Sequence, residues 1–441
     1  MEKAKKRKLN ISFQSDMDDH SQEVHKHKTN KSSGKEKAES GRLVWEFIAI
    51  ASVPLVLVLG NSMLVPVLQD MQRELGISKM QSSLVITLFS LTAGIFIPVV
   101  GFLSDQFGRK AIIIPSLIVY GGAGILAGFG AVWESYPVII SARAIQGLGA
   151  AGTSSIAMAL VGDLYNGATE SKSLGLIEAS NGFGKVVSPI IGSALALIVW
   201  YAAFFAFPIF CALALLAVIF LIKEPKEKST SKQPLGKYLL TIGKILKEKG
   251  RWLVTAFFAG SLGLFSLFGI LFYLSEILEK KPYSIDGIMK GLVLAIPLAG
   301  LVITSYSTGS IIKKNGLLMR WLMNIGLAAS ALALGLTLIW NKDQIVVFMA
   351  LITVSSIGTG LLLPCLNTMI TGSVDKKQRG MITSIYNSLR FIGVALGPPL
   401  IGWLMGISDA AVFILLCSLA AIALALVFFL IKPDKNLAKS S

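Results

Sequence analysis

Three polar residues lie close together in an otherwise apolar stretch, at a spacing that predicts one shared helical face. Glu178, Asn181 and Lys185 fall within residues 174–198 and are three and four positions apart, so they lie on one side of an α-helix. Apolar surroundings raise the proton affinity of a carboxylate, whereas a nearby ammonium lowers it. Glu178 is therefore our first candidate for a proton carrier, and the alternative is a fixed Glu178–Lys185 ion pair.

A second polar set lies in the apolar residues 381–405. It consists of Tyr386, Asn387 and Arg390. An offset of 209 positions pairs Asn387 with Glu178, so the two sets present unlike polar groups at equivalent places. A cavity with a carboxylate on one wall and cations on others can hold an amphipathic substrate that is anionic or zwitterionic.

A buried arginine is the third candidate. Arg143 and Gln146 lie in residues 137–160, where apolar residues predominate. A guanidinium in such a place is costly unless it faces a cavity or a partner. We expect Arg143 to organise polar groups and water where two halves of the molecule meet.

The elements that position these residues are predicted to be membrane-spanning helices. Hydrophobic residues make up 54% of the chain, charged residues make up 15%, and the mean hydropathy is +0.69, which excludes a soluble domain. A spanning helix needs about 20 apolar residues. Twelve segments meet that requirement, at residues 44–68, 81–103, 111–131, 137–160, 174–198, 200–222, 252–275, 287–311, 318–340, 345–370, 381–405 and 409–431. The predicted fold is an all-α integral membrane protein.

The positions of lysine and arginine predict the orientation in the membrane. Cytoplasmic loops carry an excess of these residues, and here they concentrate in residues 1–43, 223–251, 312–320, 375–379 and 432–439. Both termini are therefore expected in the cytoplasm of a multi-pass protein in the cell membrane. The net charge of +16 is explained by this bias, and we predict no nucleic-acid partner, only the lipid bilayer and a small-molecule substrate.

The apolar segments also predict the domain organisation. Residues 1–43 are polar and are expected to be disordered. Two halves of six helices follow, at 44–222 and 252–431, joined by a cytoplasmic linker at 223–251 that contains an amphipathic helix, and residues 432–441 form a second tail. The pair His25 and His27 in the first tail is an incidental ligand pair at most, so we predict no metal site.

A charged hairpin separates the second and third apolar segments. Its residues Gly101, Asp105, Gly108, Arg109 and Lys110 follow the pattern G-x-L-x-D-x-x-G-R-K. This pattern resembles the loop between the second and third helices of major facilitator superfamily transporters. The resemblance implies that the hairpin takes part in switching between cavity states.

The chain also repeats itself. The hairpin recurs at residues 309–316 with an offset of 208, and Gly184 to Pro189 recur as Gly393 to Pro398 with an offset of 209. Two landmarks with nearly the same offset indicate a six-helix unit used twice. Transporters commonly place their substrate site between such units.

Two further stretches extend the resemblance over residues 44–431. Arg143, Gln146, Gly147 and Gly149 match the family signature R-x-x-Q-G-x-G. The fifth segment resembles the G-x-x-x-G-P-x-x-G-G signature of drug/proton antiporters, and glycine and proline there permit bending at the interface of the halves. The matching residues are Gly184, Ser188, Pro189 and Gly192, where Ser188 departs from the pattern, and their counterparts Gly393, Gly397 and Pro398.

The resemblance implies a twelve-helix transporter of the multidrug efflux branch, associated with antibiotic resistance. It would export a small amphipathic molecule by alternating access, in exchange for protons or sodium. The alternatives are a dedicated exporter of one product, such as a siderophore or a lipid-linked sugar, and a receptor or scaffold that does not transport. The chain has no G-x-x-x-x-G-K-[ST] motif, so we expect no ATP-driven pumping. For a transporter of this kind we also expect no cofactor, no enzymatic activity and a monomer.

Overall fold

The computed structural model describes residues 44–165, 167–222, 235–312, 315–339, 344–373 and 376–432. The predicted disordered tail at 1–43, which includes His25 and His27, lies outside the described residues. The same holds for residues 223–234 of the predicted linker and for residues 433–441 of the second tail.

Regular structure in the described ranges is helical throughout. Residues 44–49 belong to a first unit and are helical. The second unit starts at Ile50. Its elements are α1 (50–62), a 3₁₀ turn (Val65–Val67), α2 (Leu68–Leu75), α3 (Lys79–Phe107), α4 (Arg109–Val132), α5 (Tyr136–Ala151), α6 (Ser154–Leu164), α7 (Gly167–Ala196), α8 (Ala202–Leu221), α9 (Leu235–Lys249), α10 (Arg251–Leu278), α11 (Gly287–Ile312), α12 (Gly316–Leu336), α13 (Ile345–Gly372), α14 (Lys376–Met405) and α15 (Asp409–Leu430).

The number of membrane helices agrees with the prediction from the sequence. Eleven helical stretches among the described residues are long and apolar enough to cross a membrane. The remaining long helix is α7, which has 30 residues and carries the polar set around Asn181. Its polar residues explain why it is less apolar than the others. The all-helical membrane fold is thus confirmed, with α7 as the fifth of twelve long segments.

Two predicted segments are not single straight helices. The first contains the 3₁₀ turn around Pro66 and continues as α2 to Leu75, beyond the predicted end at residue 68. A proline removes a backbone donor, which favours such an interruption. The fourth is divided at Gly152 and Thr153 into α5 and α6. Hydrophobicity shows where a segment lies but not where its backbone bends.

The first six and the last six spans meet mainly through two pairs of helices. In one pair, α3 packs against α14, and the Ser388 hydroxyl donates to the Gly94 carbonyl at 2.5 Å while Thr87 donates to the Ala395 carbonyl at 2.8 Å. In the other pair, α7 packs against α11. A Cβ atom on Gly291 would lie 2.6 Å from the Pro189 carbonyl oxygen. Backbones therefore approach closely in both pairs.

The glycines of the fifth and eleventh spans serve the packing inside each half. A Cβ atom on Gly192 would lie 2.0 Å from the carbonyl oxygen of Met63, just after α1, and one on Gly393 would lie 2.3 Å from the carbonyl oxygen of Ser261 in α10. The fifth span of each half thus packs on the first span of the same half. The two halves are equivalent in this contact, as expected for a six-helix unit used twice.

The helix predicted in the linker is present as α9. It runs from Leu235 to Lys249, with Ile245 buried and Leu240 and Lys244 exposed. Ile245 therefore packs against the rest of the protein, whereas Leu240 is exposed.

The contact at Gly192 leads to a stability prediction. In Gly192→Ala, the new methyl group would lie 2.0 Å from a backbone oxygen, so α7 must move away, and we expect a loss of about 1–3 kcal/mol. The measurement is the melting temperature of the purified protein. Gly175→Ala is the control, because Gly175 lies in the same helix with nothing within 4 Å and alanine favours helix. Equal melting temperatures for the two variants would contradict the predicted contact.

Candidate functional site

Arg143 lies at the centre of a hydrogen-bond network inside the first six spans. The side chain is 0% exposed. Its Nε donates to the Val85 carbonyl at 2.9 Å, Nη1 donates to Gln146 Oε1 at 2.5 Å, and Nη2 donates to the Gly60 carbonyl at 3.1 Å. The planar fork of donors therefore joins α5 to α1 and α3, which a point charge could not do equally well.

The same network includes an amide and an aromatic ring. Arg143 Nη2 also donates to Asn61 Oδ1 at 3.2 Å, and Asn61 Nδ2 donates to Ser90 Oγ at 2.8 Å. The guanidinium lies 4.3 Å from the centre of the Phe89 ring, which adds a cation–π contact. All these partners belong to α1, α3 and α5. Arg143 thus organises polar groups, as expected, but does so inside the first half.

The charged hairpin is also organised within the first six spans. Gly108 has a φ of 104°, which a residue with a side chain adopts at a cost, and its amide donates to the Ser104 carbonyl at the end of α3. Arg109 pairs with Asp105. Its Nε donates to Asp163 Oδ2 at 2.8 Å, so α3, α4 and α6 are tied together.

The ends of the hairpin reach two other helices. Lys110 Nζ donates to the carbonyls of Ile219 and Ile222, each at 2.9 Å, at the end of α8. An ammonium is well placed there because the last carbonyls of a helix carry partial negative charge. A Cβ atom on Gly101 would lie 3.0 Å from Ser384 Oγ of α14. Gly101 is thus the hairpin residue that allows close approach to the other half.

The polar set on α7 is described in part. The side chain of Glu178 lies outside the described residues, so its pairing with Lys185 stays a hypothesis. Asn181 is 9% exposed, and its Oδ1 accepts no hydrogen bond from the described residues. Lys185 is half-buried. The Ser188 hydroxyl donates to the Gly184 carbonyl at 2.5 Å, one turn before Pro189.

The polar set on α14 forms a connected group. Arg390 Nη1 donates to Asn387 Oδ1 at 3.4 Å, and its guanidinium lies 5.3 Å from the centre of the Tyr386 ring. Asn387 Nδ2 donates to Ser155 Oγ of α6 at 3.3 Å, which joins the two halves. Arg390 Nε is buried and has no hydrogen-bond acceptor among the described residues. One buried donor of this cation is therefore left without a partner in the part of the chain that the structure describes.

Sequence reasoning missed a set of polar residues at the other end of the helices, which we name the Lys290 cluster. Its members come from α2, α3, α10 and α11 and the residue that follows α10. They are Gln69, Gln72, Arg73, Lys79, Glu276, Glu279 and Lys290. The side chains of Glu276 and Lys290 are each 2% exposed. Buried charges of this kind require partners.

The contacts of the Lys290 cluster cross between the halves. Lys290 Nζ lies 2.6 Å from Glu279 Oε1 and also donates to the Pro66 carbonyl at 2.6 Å. Gln72 Nε2 donates to Glu276 Oε1 at 2.7 Å, and Lys79 Nζ lies 3.8 Å from Glu276 Oε2. One signal was available in the sequence, because Lys290 interrupts an apolar segment. Its partner Pro66, however, lies 224 positions away along the chain.

The network of Arg143 leads to a second stability prediction. Arg143→Ala leaves buried acceptors on α1 and α3 without donors, and each such group costs about 1–3 kcal/mol. We expect a lower melting temperature and only partial recovery in Arg143→Lys, because an ammonium cannot reach all four acceptors. Arg251→Ala is the control, since Arg251 is an exposed arginine at the start of α10. An Arg143→Ala protein as stable as this control would contradict the role of the network.

Comparisons with known proteins agree with this architecture. The sequence profile of the family described as "Major Facilitator Superfamily" matches residues 50–328 and 280–441. A "Bacillibactin exporter" of Bacillus subtilis (strain 168) is 42% identical over 393 residues, which cover 88% of this chain and 97% of that protein. The "Multidrug efflux protein YfmO" of the same strain is 28% identical over 82% of this chain and 86% of its own length.

A solved structure shares the fold. The human organic anion transporter MFSD10 (TETRAN) superposes with a TM-score of 0.66 at 19% identity, covering 87% of this chain and 98% of that chain. At this identity the likeness concerns the fold alone. Together with the family profile and the hairpin, it leads to one conclusion: the chain belongs to the major facilitator superfamily of membrane transporters.

Proposed function

We propose that the chain exports one amphipathic product, bacillibactin or a related siderophore, by alternating access. The observation that carries this proposal is the 42% identity to a bacillibactin exporter over nearly the whole of both chains. Multidrug efflux is the second candidate, which the similarity to YfmO favours. The hairpin from Gly101 to Lys110 and the exporter-type motif around Pro189 are consistent with both.

Arg390 is the residue we assign to the substrate. Its buried Nε has no acceptor among the described residues, and its guanidinium faces the Tyr386 ring. An arginine can bind an anionic group through two parallel hydrogen bonds, and the neighbouring aromatic ring can contact an apolar part of the same molecule. The two groups together suit an amphipathic anion or zwitterion.

The change between cavity states is proposed to take place between the six-helix halves, 44–222 and 252–431. The pairs α3–α14 and α7–α11 pack through small residues and few charges, which permits them to tilt against each other. The Asp105–Arg109–Asp163 group lies at the ends of α3, α4 and α6, which we propose to be the cytoplasmic ends because of the positive-charge bias of the loops. The Lys290 cluster then lies at the outer end, in a protein of the cell membrane.

Proton coupling is proposed to act through Glu178. Residues 55–68 of the first span contain no Asp or Glu, so this segment supplies no carboxylate for the purpose. Glu178 is an acidic residue of α7 and lies on the face shared with Asn181 and Lys185. Sodium remains the alternative coupling ion, and a monomer is the proposed functional form.

A vesicle experiment tests the function. The purified protein is placed in proteoliposomes, and accumulation and pH change are recorded for bacillibactin, for tetracycline and for a cationic dye. Selective transport of bacillibactin supports the dedicated exporter, and transport of all three supports multidrug efflux. Absence of transport for every compound, with a correctly inserted protein, would favour the receptor or scaffold.

Arg390→Gln tests the anion site. We expect at least a tenfold higher KM for an anionic substrate, because the guanidinium is the group that binds it, and no change for a neutral or cationic dye. Arg390→Lys is the matched variant and should retain part of the affinity, since it keeps the charge without the fork. A KM that rises equally for all substrates would indicate a structural role instead.

Glu178→Gln tests the coupling. The amide resembles a protonated carboxyl but releases no proton, so pH-driven uphill transport should be lost while substrate binding and downhill exchange continue. If Glu178 and Lys185 form a fixed ion pair, Glu178→Gln lowers the melting temperature, and adding Lys185→Met restores stability and transport. Normal uphill transport by the double mutant would exclude Glu178 as the proton carrier.

A further inference from the structure

The helix α9 leads directly into a helix that is long and apolar enough to cross the membrane. It ends at Lys249, and α10 begins at Arg251, so the single residue Gly250 joins them. Gly250 has a φ of 66°, a left-handed conformation that glycine adopts at little cost, and the chain turns there. A link of one residue cannot carry α9 far from the end of α10. The last turn of α9 therefore lies at the surface of the membrane.

One side of α9 packs on the protein. Ile245 is 3% exposed, and Ile242 and Leu246 are half-buried. Ile242 lies three positions before Ile245 and four before Leu246, so the three side chains share one side of the helix. The helix α10 packs against α9. This apolar contact fixes which side of α9 faces away from the protein.

The side that faces away carries lysines and one leucine, and we name it the α9 basic face (Leu240, Lys244 and Lys247). These residues are four and three positions apart, which places them on one face of the helix. All three are exposed, to 76% for Leu240 and 77% for the side chain of Lys244. A Cβ atom on Gly243 would meet nothing within 4 Å. The part of the chain that the structure describes therefore leaves this face uncovered.

The charge of α9 indicates what can cover its basic face. Four lysines and one glutamate lie between residues 235 and 249, which gives the helix a net charge of +3. Lys244 lies 3.8 Å from Glu248, but an exposed pair of this kind holds its lysine only weakly. Water alone would hydrate the lysines but not Leu240. The surface of a bilayer suits both, because lysine binds its phosphates and leucine contacts its apolar boundary.

We propose that the α9 basic face binds the headgroups of anionic phospholipids. The ammonium groups of Lys244 and Lys247 contact lipid phosphates, and Leu240 enters the interface between them. A lipid with a net negative charge, such as phosphatidylglycerol, binds better than phosphatidylcholine, because the choline cation cancels the charge of its own phosphate. This inference goes beyond the proposed function. It requires that α10 spans the membrane, and it is independent of the substrate, of the direction of transport and of the leaflet.

The test measures which lipid lies against α9. A fluorescent label is attached at Gly243→Cys, beside the basic face, in full-length protein whose three native cysteines have been replaced. The protein is placed in phosphatidylcholine vesicles, without substrate, together with phosphatidylglycerol or phosphatidylcholine that carries a spin label near its headgroup. Quenching gives the relative association constant of the two lipids. The parent should favour phosphatidylglycerol by about fivefold or more, and high salt should reduce this preference because it screens exposed charges.

Four variants make the test decisive. Lys244→Gln with Lys247→Gln should bring the relative association constant close to one, whereas Lys244→Arg with Lys247→Arg keeps the charge and should keep the preference. Glu248→Gln removes the acidic residue of α9 and should increase the preference. Lys281→Gln is the distant control, because Lys281 is an exposed lysine beyond the other end of α10, and it should behave like the parent. The melting temperature of each variant shows that the fold is retained.

The opposite outcomes would overturn the proposal. It fails if the two spin-labelled lipids quench the parent equally, or if the double glutamine variant keeps the full preference. It also fails if neither lipid quenches the label, because the basic face then lies in water or against another protein. Because no substrate is present, the result does not depend on which compound is exported. A protein that transports none of the tested compounds but prefers phosphatidylglycerol would contradict the proposed function and leave the lipid site intact.

Discussion

The requirement that buried polar groups find partners inside the protein governs this structure, because the hydrocarbon of a membrane supplies none. Arg143 meets that requirement with two backbone carbonyls, an asparagine and a glutamine. It thereby fixes α5 against α1 and α3. Arg390 does not meet it within the described residues, since its buried Nε has no acceptor. This contrast is the basis of our proposal that Arg143 stabilises the fold and that Arg390 binds the substrate.

The same requirement explains how the two halves are joined. Along α3–α14 and α7–α11 the contact is made by small residues and backbone atoms, as at Gly94 and Gly291, and such surfaces leave no charge exposed when they tilt. At one end the joint is ionic instead, through Glu276 and Lys290. Charges can separate there because water reaches the ends of the helices. The structure therefore joins the halves by close packing of small residues along the spans and by ionic contacts at one end.

Much of this could be predicted from the sequence, and the reasons are local. The lengths of the apolar segments predicted twelve helices. The hairpin around Gly108 was also predictable, because its pattern consists of neighbouring residues. The acceptors of Arg143 could not be predicted, because the carbonyls of Gly60 and Val85 have no sequence signature. The Lys290 cluster was missed for another reason. Its members lie near helix ends, where charged residues are ordinary, and only the packing of α2, α3, α10 and α11 brings them together.

The central claim is that this end of the molecule must open for transport. The Ser275 hydroxyl donates to the Val65 carbonyl at 2.9 Å, so the two positions are adjacent across the halves. Cysteines at positions 65 and 275, in a background without the three native cysteines, would form a disulfide that holds this end closed. The account predicts that oxidised protein does not transport and that reduction restores transport. Undiminished transport by fully cross-linked protein would contradict it.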